Sequence, residues 1–416
     1  MKKNNVFNLS SLVDIDDPLT EIARNGAKMM LATALEDEVK NFLSAYNVNG
    51  EVRLVRNGYL PERTIQTGIG EVEVKVPRVR DRKKEIKFKS TLIPPYLRKS
   101  KSVEELIPWL YLKGISTNDF QEALKAIFGD KANGLSSTTI SKMKSKWEKE
   151  YQNWQESSLE NKEYVYIWAD GIHCGVRGDH EKLCLLVIIG ATTNGKKELL
   201  ALDDGFREST ESWIYVLNRL KERGLKSVPK LAIGDGALGF WAALRDVFPE
   251  TKEQRCCQHK TRNVVDKMPK SLRSKATSEL NDIWQAESKD EAKKQIQLFK
   301  KRYEVKHPKA VECLLKDEDK LLTFYDFPAE HWRSVRTSNP IESIFASVRH
   351  RSNRAKGCVS RSTMLSMAFK LIQSASTRWH RLHCPERLAD VITGVNFING
   401  IAENEICDTN DDMAAA

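Results

Sequence analysis

"KLAIGDGALGFWAALRDVFPETKEQRCCQH", residues 230–259, reads as strand, helix, strand. "KLAIGD" (230–235) is a short apolar strand that ends in Asp235 and a glycine. "ALGFWAALRDVF" (237–248) has helical spacing, and "EQRCCQH" (253–259) predicts a further strand. Strand–helix–strand units need a sheet to join, and the residues before them supply one. "YVYIWAD" (164–170), "KLCLLVIIGATTNG" (182–195) and "KELLALDDG" (197–205) predict three antiparallel strands. "STESWIYVLNRLKERG" (209–224) predicts a helix with a hydroxyl at its start and glycine at its stop. Together these fit a compact mixed α/β sheet with helices on its faces.

Outward from this core the pattern changes. Residues 17–46 have helical spacing, with Asp16 or Asp17 before Pro18 as a start. Residues 63–76 switch to period two: Val72, Val74 and Val76 alternate with Glu71, Glu73 and Lys75, which predicts a β-hairpin. Residues 75–101 hold eleven basic residues and two acids. That run is either a solvated loop or a strip for DNA phosphates, with Arg78, Arg80 and Arg82 as contacts. Residues 114–147 predict two helices joined by a Gly-containing turn, capped by Ser116 or Thr117 and by Ser136 or Ser137. Thr138, Thr139, Ser141, Lys142 and Lys144 then form a polar face suited to a DNA groove. Residues 260–330 are rich in Lys and Glu and read as a helical insertion. A helix is expected at about 340–351, and an acidic flexible tail at the end. The expected division is 1–160, 161–265, 266–330, 331–400 and 401–416.

The chain has 416 residues, 40% of them hydrophobic, and a net charge of +10, which favours a polyanionic partner. Eight cysteines occur without a CxxC pair, so neither a disulfide framework nor an ordinary zinc finger is expected. Free thiols and an N-terminus without an apolar leader suit the cytoplasm. The apolar run "LCLLVIIGA" (183–191) is too short to span a bilayer.

Two carboxylates, Asp170 and Asp235, end predicted buried strands, and each precedes a glycine. Carboxylates brought together inside a protein need a cation between them, and Mg²⁺ suits oxygen ligands. Glu342 is the third candidate, the one acid among seven Arg and Lys in residues 331–361. By itself it reads as part of a capping box, with Asn339 as N-cap and Pro340 at the first helical position. With the two aspartates it reads as a metal ligand, and the cations Arg336, Arg349, Arg351, Arg354 and Lys356, with Asn339, become DNA contacts. Three acids and two Mg²⁺ ions, with Mn²⁺ as a substitute, suit phosphodiester chemistry without a protein nucleophile. Trp332 is a candidate stacking face for an unpaired base.

The chain resembles the Mutator-type transposases of bacterial insertion sequences, DDE transposases with a ribonuclease-H-like core. The resemblance rests on "DGALGFWAALRDVFPETKEQRCCQH" (235–259), "HWRSVRTSNPIESIFASVRHRSNRAKGC" (331–358) and "RNGYLPERTIQTGIGEVEVKVPRVRD" (56–81). It implies an α/β ribonuclease-H-like catalytic core with an all-helical insertion, plus a mostly helical N-terminal DNA-binding region containing a small hairpin. It implies Asp170, Asp235 and Glu342 as the catalytic triad. It also implies binding to terminal inverted repeats and target DNA, cleavage and strand transfer, and a homodimer or larger assembly on DNA. A nucleoid location would follow from DNA binding. Cys256 and His259 match the family's motif and are read as a structural element near the site, because zinc would need about four ligands. The rival readings are a metal-dependent nuclease without strand transfer, and a domesticated DNA-binding protein.

Overall fold

The computed structural model describes residues 17–47, 53–115, 119–128, 137–176, 183–236, 238–355 and 360–405. The chain divides into two compact units, Met1–Met143 and Lys144–Ala416. Among the described residues no helix is long and apolar enough to cross a membrane.

The first unit opens with α1 (Pro18–Tyr46), capped by Asp17, whose carboxylate accepts from the Thr20 amide at 3.1 Å. Its inner face meets a small β layer. The expected hairpin is present as β2 (Arg63–Thr67) and β3 (Gly70–Val74). Val72, Val74, Val76 and Ile65 are buried in a cluster with Leu35 of α1. A second antiparallel pair was not foreseen: β1 (Leu54–Tyr59) with β4 (Pro77–Asp81). Part of the basic run is therefore a strand and not a loop. Asp81 anchors it, accepting from the amides of Lys83, Glu85 and Ile86 and pairing with Arg53 at 3.3 Å. Arg78, Arg80 and Arg82 remain exposed. Helices α2 (Lys101–Leu112) and α3 (Phe120–Phe128) follow, then α4 (Ser137–Gln155). The turn between α3 and α4 and the expected caps Ser116, Thr117 and Ser136 lie outside the described residues.

The second unit is built on a five-stranded sheet. Its strands are β5 (Tyr164–Cys174), β6 (Leu183–Thr192), β7 (Lys197–Gly205), β8 (Leu231–Gly234) and β9 (Lys252–Arg255). Their order is β7-β6-β5-β8-β9, antiparallel among the first three and parallel from β5 to β9. The parallel steps are crossed by α5 (Thr210–Glu222) and α6 (Leu238–Val247). The alternation of β5 divides its side chains. Ile167 and Ala169 join a buried cluster with Trp213 of α5 and Phe240 and Trp241 of α6. Tyr166 and Trp168 meet the segment before the last long helices: the Tyr166 hydroxyl lies 2.9 Å from His331 Nδ1, and Trp168 Nε1 donates to the Ser334 carbonyl.

One element differs from its expectation. The strand expected over 253–259 stops at Arg255, and α7 (Cys257–Val265) begins there. The Cys256 amide makes the last bond to β8, donating to the Gly234 carbonyl at 2.8 Å, and the next amide, Cys257, donates instead to the Arg336 carbonyl at 2.9 Å. The insertion then follows as α8 (Lys270–Trp284), α9 (Lys289–Tyr303), α10 (Pro308–Leu315) and the one-turn α11 (Glu318–Leu321); the one-turn α12 (Trp332–Val335) lies beyond it. The unit closes with α13 (Asn339–Ala355), α14 (Arg361–Ser376) and α15 (Arg387–Thr393). Helix α13 packs on β5, and α14 on β7. Residues 406–416, most of the expected acidic tail, lie outside the described residues.

Candidate active site

Register alone brings the two aspartates together. Ala169 pairs with Gly234 across the parallel strands β5 and β8, so the next residues, Asp170 and Asp235, come side by side. Gly234 in turn pairs with Arg255 of β9, so Cys256 is the next residue in the same row. Parallel strands end at one edge of their sheet, where crossover loops leave room for a site. The first turn of α7 then lifts His259 over that edge.

Asp170 is 8% exposed, and its carboxyl is raised to about 7 by burial, with the nearby Asp235 charge acting in the same direction. His259 opposes this shift. Its own value is raised to about 9, through its hydrogen bond with Cys256 and the charges of Cys256, Asp170 and Glu342, against the cost of burial. Burial pushes the Cys256 thiol up, but hydrogen bonds with His259 and Ser338 outweigh it and the net shift is downward.

Glu342 reaches the same place from α13. Its Oε1 lies 3.6 Å from His259 Nε2 and 3.3 Å from the Ser338 hydroxyl. That hydroxyl also lies 3.3 Å from both Cys256 Sγ and His259 Nδ1. The start of α13 differs from the sequence reading by one residue. Ser338, not Asn339, caps it: the Ser338 carbonyl accepts from the amides of Ile341 and Glu342 at 2.9 and 3.2 Å. The Glu342 carboxylate reaches the Ser338 side chain and His259, the imidazole that also feels the Asp170 charge.

The two Asp-Gly pairs do more than turn the chain. A Cβ on Gly171 would fall 2.4 Å from Glu208 Oε1, and one on Gly236 would fall 2.8 Å from Arg255 Nη2. Each glycine therefore leaves space for a charged group beside its aspartate. Glu208 was missed by sequence reasoning. It precedes Ser209, the N-cap of α5, and it sits at φ +56°. Its carboxyl is raised to about 7 by burial and by the Asp235 charge, and it lies 3.6 Å from His173 Nε2. A Cβ on Gly239 would fall 2.2 Å from the Glu208 carbonyl oxygen, so this glycine admits the bend that presents Glu208. The one available signal was the glycine after Asp170.

The remaining sequence candidates separate. Arg349 is exposed on α13, and Lys142 on α4. Asn339 is exposed at the start of α13. Arg336 turns inward and donates to the Trp284 carbonyl at 2.6 Å, and Arg351 is 4% exposed, so neither presents itself to a DNA backbone. The Arg354 side chain and Lys356 lie outside the described residues. Trp332 packs edge-on against Phe324 and Tyr325 and donates to the Phe327 carbonyl, so its rings are already in use. Other histidines and cysteines lie elsewhere: His173 faces Glu208, and Cys384 contacts His383. The third group that meets Cys256 and His259 is Glu342.

Against known families, the model described as "Transposase, Mutator family" matches residues 3–381. The transposase for insertion sequence element IST2 of Acidithiobacillus ferrooxidans is 48% identical over 284 residues, 68% of this chain and 96% of that protein. The transposase for IS6120 of Mycolicibacterium smegmatis is 48% identical over 298 residues, 72% of this chain and 92% of that one. A chain of the Drosophila P element transposase strand transfer complex aligns with a TM-score of 0.29 and 9% identity, over 70% of this chain and 84% of that chain, too slight a likeness to bear on the fold.

Proposed function

The chain belongs to the Mutator family of transposases, and from that premise we propose that it cleaves and joins DNA strands at the ends of an insertion sequence through Asp170, Asp235 and Glu342. The observation that carries this reading is the placement of the three acids: two from adjacent parallel strands, the third linked to Asp170 through His259. The sheet order, with three antiparallel strands followed by two parallel steps, supports a ribonuclease-H-like core.

The donor set fits a hard divalent cation. Burial and the Asp235 charge both oppose the ionisation of Asp170, which a cation between the two would relieve. Their oxygens, with those of Glu342, suit Mg²⁺ or Mn²⁺ better than a softer metal. Bound there, two such ions would activate the attacking water or 3′-hydroxyl and stabilise the departing oxygen. The protein's own residues do the rest. Asp170 and Asp235 are fixed by strand pairing, so their separation is set before DNA arrives. Ser338 and His259 hold the Glu342 carboxylate toward them. The exposed Arg78, Arg80 and Arg82, Lys142 and Arg349 offer charge to terminal-repeat and target phosphates. Joining two ends calls for a homodimer or a larger assembly on DNA.

The test uses purified protein, Mg²⁺ and labelled duplexes bearing the parent element's end. Wild type should give both nicked and joined products, and Asp170→Asn, Asp235→Asn and Glu342→Gln should give neither while still binding. Nicking without joining would replace this reading with a nuclease. Binding unaffected by the substitutions, with no product from wild type, would replace it with a DNA-binding protein.

A further inference from the structure

Beside the acids lies a second concave site. A cavity of about 480 Å³ is lined by Lys197 of β7, Arg333, Thr337 and Asn339 at the approach to α13, and Arg378, Trp379 and Arg381 after α14. Its size is that of a small-ligand pocket. Among the described residues no acid lines it. Several arginines elsewhere in this unit are matched, as Arg219 is to Asp203 and Arg361 to Asp204. Around the cavity the guanidinium groups of Arg333, Arg378 and Arg381 make no hydrogen bond or ion pair among the described residues.

Two further groups on the wall lack partners. Thr337 is 7% exposed, and its hydroxyl is buried with nothing to bond. The Trp379 indole N–H, also shut away from water, has no acceptor. A buried donor without an acceptor costs stability, so such groups in a native fold call for a reason. Indole can only donate and guanidinium can only donate. An anion rich in acceptors, such as a phosphate, would satisfy them. Thr337 is adjacent to Ser338, whose hydroxyl contacts Cys256, His259 and Glu342. The cavity and the Glu342 side of the candidate site thus meet at consecutive residues.

We propose that this cavity seats a backbone phosphate of the DNA strand, close to the bond that the acids act on, with Thr337 and Trp379 donating to it and Arg333, Arg378 and Arg381 balancing its charge. This deepens the proposed function and rests on it for the identity of the strand. It assigns a ligand to residues outside the triad and outside the basic strip of the first unit.

The experiment measures binding of a fluorescent single-stranded oligonucleotide to the full chain in chelator, where no cleavage intervenes. Thr337→Val and Trp379→Phe keep shape and remove one donor each. Each should weaken binding about tenfold, the worth of one hydrogen bond to a charged group, with the salt dependence unchanged. The double substitution Arg378→Ala, Arg381→Ala should lower the salt slope by about 0.7, the value for one phosphate left unneutralised on a single strand. Far-ultraviolet circular dichroism of each variant checks that it folds as wild type does. Unchanged affinity in Thr337→Val and Trp379→Phe would overturn the proposal, even with cleavage intact. Loss of cleavage in the triad variants with pocket-dependent binding preserved keeps the two readings apart. Inorganic phosphate supplies the other arm. Protection of wild type against heating by millimolar phosphate, lost in Thr337→Val while oligonucleotide binding is untouched, would make this a free-anion site and reject the DNA strand.

Discussion

His259 Nε2 stands 3.6 Å from the Glu342 carboxylate, and the same imidazole feels the charge of Asp170. One side chain on α7 therefore links the third acid, carried by a helix, to the first, carried by the sheet. The folded value of about 9 lies above the ordinary 6.5 of histidine. The resulting stabilisation is complete below pH 6.5 and is lost as pH rises through 9. In chelator, the unfolding midpoint of wild type should fall between pH 6.5 and 9, and His259→Gln should flatten that fall. A midpoint with the same slope in both proteins would show that the imidazole is not charged there.

Asp170 carries the opposite tension. Its carboxyl titrates near 7 in the fold against 3.8 outside it. The folded chain keeps a proton that the unfolded chain has released, so stability falls as pH rises from about 4 to 7. Asp170→Asn removes a carboxylate that burial and Asp235 both penalise. The variant should unfold at a higher temperature than wild type at pH 8 in chelator, by about 2–4 °C for each kcal/mol recovered. Added Mg²⁺ should raise the wild-type midpoint and leave that of the variant nearly unmoved. Calorimetry reads both effects.

These acids differ in how far the sequence announces them. Asp170 and Asp235 stand out because an apolar strand ending in Asp-Gly is visible in the linear chain. Their adjacency follows from strand order, which periodicity does not encode. The helix of Glu342 was legible from Asn339-Pro340, with its cap displaced to Ser338 because a serine carbonyl and hydroxyl serve two elements at once. The end of β9 was not legible: Arg255 and Cys256 look strand-like until Cys256 meets the Gly234 carbonyl and turns into α7. Pairing of β1 with β4 was hidden because Arg78 and Arg80, with Arg82 just beyond, give the strand the composition of a loop. Glu208 was hidden for a different reason. What marks it is the absence of a side chain on Gly171, far from it along the chain and beside it in space.

Glu208 gives a third prediction. Glu208→Gln should reduce strand cleavage about ten- to a hundredfold, the usual scale for a group that tunes a metal site, while DNA binding is retained. Gly171→Ala should do likewise by displacing the Glu208 carboxylate. Gly239→Ala, which would press against backbone, should instead destabilise the fold by about 1–3 kcal/mol. Full cleavage by Glu208→Gln would reduce that residue to a partner of His173. Cleavage assays and urea titration distinguish the cases.

The strip on β4 gives a fourth. Replacing Arg78, Arg80 and Arg82 together by alanine should lower the slope of log K against log salt on duplex DNA by about 0.9 for every phosphate that these arginines neutralise. Stability should be little changed, because all three are exposed and Asp81 retains its anchors. A slope equal to that of wild type would place the duplex elsewhere.

The neck of the helical insertion has a consequence of a different kind. The Cys257 amide donates to the Arg336 carbonyl at 2.9 Å, and the Ser338 amide lies 3.3 Å from Cys256 Sγ. The chain thus leaves the sheet and returns to it through one doorway, and the acids on either side are fixed by that doorway and not by the length of what passes through it. Polypeptide can be added at the exposed turn between α9 and α10 at little entropic cost, since doubling a closed loop costs only about 0.6 kcal/mol. A guest domain grafted at Val305, 91% exposed in the turn between α9 and α10, should therefore leave strand cleavage intact, which makes this turn the natural attachment point for steering the protein to a chosen address.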